Sequence, residues 1–304
     1  MKITVFTPTY NRKYIILSLY RCLQQQTFHD FEWLVIDDGS TDGTEELFAL
    51  LEKDSNPFPI RYYWFENSGK QKEINRALDM ACGKLFFTVD SDDLLTPNAL
   101  ELIDQWDAAM PSDEKFCGFA GSDGDMQGNP TNPIFHEAYI DATFFDRDSR
   151  SDKFIGYDRP WVLYTDIHRK YKYPEFEGET FITEAVVWNR MAADGYRIRC
   201  FNEVIYLREH QKAGLTNRIH EILVNNPQGY GLWIKEMLAQ TGGNWRQRLT
   251  SYYFFYCEIH HKVPLEQIVR YVGATKIEIA IVRIFYSIKR FGSKLHLLQK
   301  HCKG

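Results

Sequence analysis

The chain has 304 residues, 44% of them hydrophobic and 25% charged, which is the composition of a water-soluble globular protein. Its 36 Lys and Arg against 41 Asp and Glu leave a net charge of −5, which excludes a general nucleic-acid binder. Six scattered cysteines without a C-x-x-C pair, an N-terminus without an h-region and no apolar run of membrane-spanning length lead us to expect reduced thiols and a cytoplasmic chain.

The β-branched run "KITVFTP" predicts a first strand, and "YIILSLYRCLQQQ" carries Ile15, Leu19, Cys22 and Leu23 at helical spacing. "FEWLVIDDG" predicts a second strand. "STDGTEELFALLEK" predicts a helix capped by Ser40 or Thr41, with acids at its positive end. "IRYYWFE" predicts a third strand, and "GKQKEINRALDMACG" a helix closed by Gly83 as its C′ glycine. "KLFFTVD" predicts a fourth strand, and "TPNALELIDQWDAAM" a helix with Pro97 in its first turn. Near-continuous apolar strands alternating with helices predict an α/β fold, a doubly wound and mostly parallel sheet covered on both faces.

Near Cys117 the pattern changes. A strand in "KFCGFAG" gives way to a Gly/Asp/Asn/Pro loop, and residues 121–180 read as one irregular segment, the mark of an insertion or binding loop. "ETFITEAVVWNRMAADG" predicts a helix with Val186, Val187 and Met191 inward, and "IRCFNEVIYLRE" a strand. From about residue 215 the chain reads as mostly helical, so we expect domains at 1–214 and 215–304.

Ligands of doubly wound sheets bind outside the carboxyl ends of the strands. The four predicted strands end in "TPTYNR", "DDGSTDGT", "ENSGKQ" and "DSDD", which converge on one sheet edge. The absence of G-x-G-x-x-G disfavours a dinucleotide fold, and the absence of G-x-x-x-x-G-K-[ST] excludes a P-loop. The edge offers carboxylates instead. Asp90 and Asp92 flank Ser91, and alternating side-chain direction lets the two acids point the same way. Such hard oxygen ligands suit Mg²⁺ or Mn²⁺ bridged to substrate phosphates.

"TPTYNR", "VIDDGSTDGT", "NSGKQKEINRAL" and "VDSDDLL", in this order and spacing, resemble the family 2 glycosyltransferases of the GT-A fold. The likeness covers residues 1–110 and resumes more weakly in "PEFEGETFITEAVVWNRMA" and "YLREHQKAGLT". The resemblance implies an inverting transferase that uses a nucleotide-diphosphate sugar, most often UDP-linked, with Mn²⁺ or Mg²⁺. The implied acceptor is a hydroxyl of a glycan or lipid-linked saccharide in surface polysaccharide synthesis. It further implies that Thr7, Pro8, Tyr10 and Asp38 line the base pocket, with Tyr10 against the base face and Asp38 accepting from a base N–H. Arg12, Lys70 and Ser91 join the donor contacts, Asp90 approaches ribose or metal, and Asp92 is the chief metal ligand. The family's general base comes from a Glu-Asp pair that opens a helix. Here that place reads Glu184-Ala185, so Glu184 is the first candidate, followed by Glu177 and Glu179. Arg190, on the same helix, would pair with a carboxylate or phosphate. His210 would reach the diphosphate or the metal, beside Arg208 and Lys212, with Gly214 as a hinge. The lack of a Q-x-x-R-W motif points to addition of single sugars. A sugar nucleotidyltransferase needs a Gly-rich phosphate loop that "TPTYNRKY" does not provide. A non-catalytic nucleotide-sugar-binding protein has only Ala185 in its favour.

The C-terminal stretch from Lys276 holds seven Lys and Arg against one acid, Glu278. Ile279, Val282, Ile284, Phe285 and Ile288 read as one helical face, so residues 276–304 predict a basic amphipathic helix on the inner face of an anionic membrane.

Overall fold

The computed structural model describes residues 1–112, 114–208 and 218–301, with side chains up to residue 290 in the last stretch. The elements run β1 (Ile3–Thr9), α1 (Ile16–Gln24), β2 (Phe31–Asp37), α2 (Thr44–Leu51), β3 (Ile60–Trp64), α3 (Lys70–Met80), β4 (Leu85–Thr88), β5 (Leu94–Leu95) and α4 (Ala99–Ala109). They continue with β6 (Phe116–Gly124), β7 (Tyr139–Ala142), β8 (Trp161–Tyr164), α5 (Thr165–His168), α6 (Ala185–Ala193) and β9 (Arg197–Leu207). Five helices follow: α7 (Ile219–Asn225), α8 (Pro227–Gln240), α9 (Trp245–Ile259), α10 (Leu265–Val272) and α11 (Lys276–His301).

The chain forms two units, residues 1–173 with 187–214, and residues 174–186 with 215–304. The segment 174–186, which the sequence assigns to the first domain, therefore folds with the helical second unit.

The first unit is a nine-stranded mixed sheet of order β3-β2-β1-β4-β8-β6-β9-β5, with β7 on β9. β3, β2, β1 and β4 are mutually parallel, as expected. In the register Thr9 lies beside Asp37 and Asp37 beside Trp64, so three strands finish level. Ile3, Val5, Trp33, Val35, Leu85 and Phe87 are fully buried, and α1 adds Ile16, Leu19 and Leu23 to the same core. Burial of this order, at about 25 cal/mol per Å² of apolar surface, makes the sheet the rigid base on which the loops stand.

The segment 121–180 is less irregular than its sequence suggests. β8 enters the middle of the sheet, antiparallel to both β4 and β6. Four residues bounded by Pro160 are too few to show a period. The long connection before β8 is fixed by Arg159, which is buried and donates to the carbonyls of Ile155, Gly121, Phe201 and Pro133 at 2.5–2.9 Å.

Two caps differ from expectation. α2 begins after Gly43, which adopts a left-handed conformation (φ 86°), and neither Ser40 nor Thr41 caps it. α3 ends in extended backbone at Ala81, so Gly83 is no C′ glycine. Gly83 is needed for close approach instead: a Cβ there would lie 2.3 Å from the Thr4 amide nitrogen and 2.5 Å from the Ile3 carbonyl carbon. Backbone atoms of β1 cannot yield without breaking the central strand pair. Gly83→Ala is therefore expected to cost about 2 kcal/mol or more in urea unfolding.

The second unit has its own core. Tyr230, Ile234, Leu238, Tyr252, Phe255, Ile259, Ile268, Val272, Ile279 and Val282 pack together from α8 to α11. No described helix is long and apolar enough to cross a membrane. The five described cysteines are free thiols.

Candidate functional site

The loops at the carboxyl edge are stitched to one another by short polar side chains. Asn11, in the left-handed region at φ 52°, donates its N–H to Ser40 Oγ at 2.7 Å and accepts from the Thr41 N–H at 2.9 Å. The Lys13 N–H donates to Asp42 at 3.0 Å. Asp37 accepts from the Ser40 N–H at 2.7 Å and from the Tyr62 hydroxyl at 2.6 Å. Asp38 reaches the next loop: its carboxylate accepts from the Ser68 N–H at 2.6 Å and the Gly69 N–H at 3.0 Å, while Asn67 Nδ2 donates to the Asp38 carbonyl. The "DDGSTDGT" and "NSGKQ" motifs thus hold three loops in one geometry before any ligand arrives.

Beneath this edge lies Glu73, fully buried and bonded to Ser68 Oγ and Arg76, with Oε2 lacking a partner among the described residues. Burial pushes its carboxyl up to about 7 against the pull of Arg76, and the charge of Asp38 adds to the rise.

The acidic end of β4 is compensated from two sides. Lys70 Nζ lies 2.8 Å from Asp90 Oδ1. Burial would raise the Asp90 carboxyl, but Lys70, with Arg208 and Arg12 behind it, holds it below the usual carboxylate range. The Asp90 N–H donates to the Tyr206 hydroxyl at 3.0 Å, which in turn donates to Asp93 Oδ2 at 2.8 Å. Burial and the neighbouring Asp90 push Asp93 up to about 7. On the other side Arg208 meets Asp123 at 3.3 Å and Asp158 at 3.1 Å. Burial also pushes Asp123 up to about 7, despite Arg208. Half-buried Asp92 has no hydrogen-bond or ion-pair partner among the described residues.

The sequence-derived candidates divide accordingly. Asp38, Lys70 and Asp90 stand at the carboxyl edge, and the charge of Arg12 reaches Asp90. Tyr10 is 51% exposed, Pro8 is part-exposed and Ser91 is buried. Thr7 faces the other way: it is fully buried and its hydroxyl accepts from Trp33 Nε1 at 3.0 Å, because alternate residues of β1 point to opposite sheet faces. A base-pocket role for its side chain is thereby corrected to a core contact. In the second unit Glu179 accepts from the Gln228 and Gly229 N–H groups at 2.7 and 2.9 Å and so caps α8. Glu177 is exposed, and Glu184 is half-buried immediately before α6, which carries Arg190. His210, Lys212 and Gly214 lie outside the described residues. Tyr206, Asp123 and Asp158 escaped sequence reading as site residues. They stand far from the four motifs in sequence: the pairing of β6 with β9 sets Asp123 beside Tyr206, and Asp158 comes from the connection before β8.

The sequence profile of glycosyl transferase family 2 matches residues 4–162, more than half of the chain. The protein belongs to that family. A curated relative, the GalNAc(5)-diNAcBac-PP-undecaprenol beta-1,3-glucosyltransferase of Campylobacter jejuni, is 34% identical over 106 residues, which is 34% of this chain and 34% of that one. The chain thus spans about a third of that relative. Two solved structures share the fold of this family 2 glycosyltransferase. S. aureus TarS in complex with UDP-GlcNAc superposes with a TM-score of 0.57 at 20% identity, over 90% of this chain and 84% of that one. The mannosyltransferase PcManGT of Pyrobaculum calidifontis, in complex with GDP-Man and Mn²⁺, gives 0.57 at 16% identity, over 94% and 80%. The sheet described above is therefore a GT-A-type sheet.

Glu73 supplies a pH test. Its carboxyl titrates near 7 in the fold and at about 4.3 when unfolded, so the folded chain holds the extra proton between those values. Stability from this group is fully present below the lower value and is lost as pH rises toward the upper one. Glu73→Gln is expected to gain on the wild type by up to about 3 kcal/mol as pH is raised across that window in urea melts.

Proposed function

We propose that this glycosyltransferase is an inverting enzyme that moves a sugar from a nucleotide-diphosphate donor, UDP-linked by preference, to a hydroxyl of a glycan or lipid-linked saccharide in surface polysaccharide synthesis. The observation that carries this reading is the pairing of Lys70 with Asp90 beside a half-buried Asp92 that has no partner among the described residues, just past the end of β4 in the parallel half of the sheet. Related folds hold UDP-GlcNAc and GDP-Man, and the Campylobacter relative is named for a lipid-linked acceptor.

Among the described residues no three His, Cys, Asp or Glu side chains form a metal cage. An ion such as Mg²⁺ or Mn²⁺ needs less than that, taking one or two carboxylates together with substrate phosphates and water. Asp92 fits this use, with Asp90 beside it, and His210 is a further candidate. When bound, the metal supplies positive charge to the departing diphosphate.

The chain's own groups do the rest. Tyr10 offers an exposed ring for the base, and Asp38 keeps its loop in place while its remaining lone pairs accept from a base N–H. Lys70 and Arg12 put positive charge where the diphosphate gathers negative charge, preorganised by the fold rather than recruited during reaction. Glu184 takes the proton of the acceptor hydroxyl as that oxygen bonds to the anomeric carbon and the bond to the diphosphate breaks. Arg190, on the helix that Glu184 precedes, pairs with a carboxylate or a phosphate.

Incubation with a panel of UDP-sugars, with and without Mn²⁺, is expected to release UDP with at least one donor; no release or binding with any donor and metal overturns the reading. Asp92→Asn is expected to lose metal-dependent turnover by about 10²-fold or more while melting like the wild type. Glu184→Gln should lower kcat by about 10²- to 10⁴-fold with donor affinity nearly unchanged. If Glu177→Gln does so instead, the base is Glu177.

A further inference from the structure

The last helix has two apolar faces, and only one of them is used by the fold. The five residues expected to share one face separate in the structure. Ile279 and Val282 are buried in the core of the second unit. Tyr286 packs beside them and its hydroxyl lies 3.1 Å from His260 Nε2, while Glu278 is held by Arg248 at 2.9 Å. Ile284, Phe285 and Ile288 are 59, 57 and 62% exposed, and Ile277 is 74% exposed. Ile277, Ile281, Ile284 and Ile288 follow one another at steps of four, three and four, which at 3.6 residues per turn draws a single stripe along the helix. At 100° per residue this stripe lies opposite the line through Ile279, Val282 and Tyr286. In sequence the spacing continues through Phe291, Leu295 and Leu298.

We propose that this outer stripe is a docking surface for an anionic lipid bilayer, with α11 lying in the plane of the headgroups. Charge decides the occupant. Residues 276–304 hold seven Lys and Arg against Glu278 alone, in a chain whose net charge is −5, and that one acid is already engaged by Arg248. Lys276, Arg283 and Arg290 are exposed on one shoulder of the stripe. On the other side the Lys289 ammonium lies 5.0 Å from the centre of the Tyr253 ring. Apolar insertion and basic attraction together suffice for reversible binding to acidic lipid, where either signal alone is marginal. The same spacing fits the seam of a coiled coil with a second copy, but that arrangement brings two strongly basic helices side by side, whereas a phosphate-rich surface neutralises both shoulders. The inference does not rest on the donor or the base assigned above.

The test is flotation of the full chain with vesicles of phosphatidylcholine alone or mixed with phosphatidylglycerol, at low and high salt. Binding is expected only to the mixed vesicles and is expected to weaken with salt. Ile284→Ser with Ile288→Ser, and separately Arg283→Glu with Arg290→Glu, should each weaken it by at least about 10-fold. These substitutions are at exposed positions, so unchanged melting temperature and unchanged UDP release will show that fold and site are intact. Equal binding to both vesicle types, or no binding to either at low salt, overturns the proposal. So does a dimer in sedimentation that Ile284→Ser with Ile288→Ser dissolves while lipid binding is absent.

Discussion

The architecture of the site depends on holding carboxylates together without letting them repel the strand ends apart. Asp90, Asp92, Asp93, Asp123 and Asp158 bear on one region of the sheet, and two cations arrive from distant parts of the chain to hold them. Lys70, at the start of α3, takes Asp90, and Arg208, at the end of β9, lies against Asp123 and Asp158. Tyr206 completes the arrangement by accepting from the Asp90 amide and donating to Asp93. Burial of a charge without such partners costs several kcal/mol. The compensation stops one residue short: Asp92 is the carboxylate left without a described partner. With its neighbours engaged, this carboxylate keeps its oxygens available, which is the ground for its place in the proposed donor site.

The second requirement is rigidity in loops that carry no regular hydrogen-bond ladder. Here the polar motif residues act on one another's backbones. Asn11 grips Ser40 and Thr41, Asp37 grips Ser40 and Tyr62, and Asp38 grips Ser68 and Gly69. These are charge-assisted or short-range bonds of the kind that fix a loop before binding, and a preorganised site loses less free energy when its ligand arrives.

This explains what could be read from the sequence. The parallel half of the sheet was legible because β1, β2 and β4 are buried on both faces and their apolar runs are nearly continuous. The edge motifs were legible because each follows its strand directly. The roles within the motifs were less so, since Asp38 reads equally as a ligand contact and as a loop clamp until its partners at residues 68 and 69 are seen. β8 was hidden by its brevity, and the Arg208 and Tyr206 contacts by their distance in sequence. Glu179 looked like a free acid in a polar stretch, yet its partners are the first amides of α8, some fifty positions on. The terminal helix misled for a different reason: a run of apolar residues in a helix does not say how many faces it serves, and only the packing of Ile279 and Val282 separates the inner face from the outer stripe.

Ala185 can be understood from its surroundings. It is buried at the first position of α6. A carboxylate at so enclosed a position would require hydrogen-bond partners of its own or accept a raised pKa. Alanine removes that demand and is the strongest helix former, so α6 gains propensity where the family pattern has an acid. The half-buried residue before it keeps both a carboxylate and access to solvent. Of the three acids considered for proton removal, Glu179 is bonded through both oxygens to backbone amides and Glu177 lies in an exposed stretch that no helix orients. Among these three, Glu184 combines a partly shielded carboxylate with attachment to the start of a helix, and that combination is the ground on which it is proposed as the base.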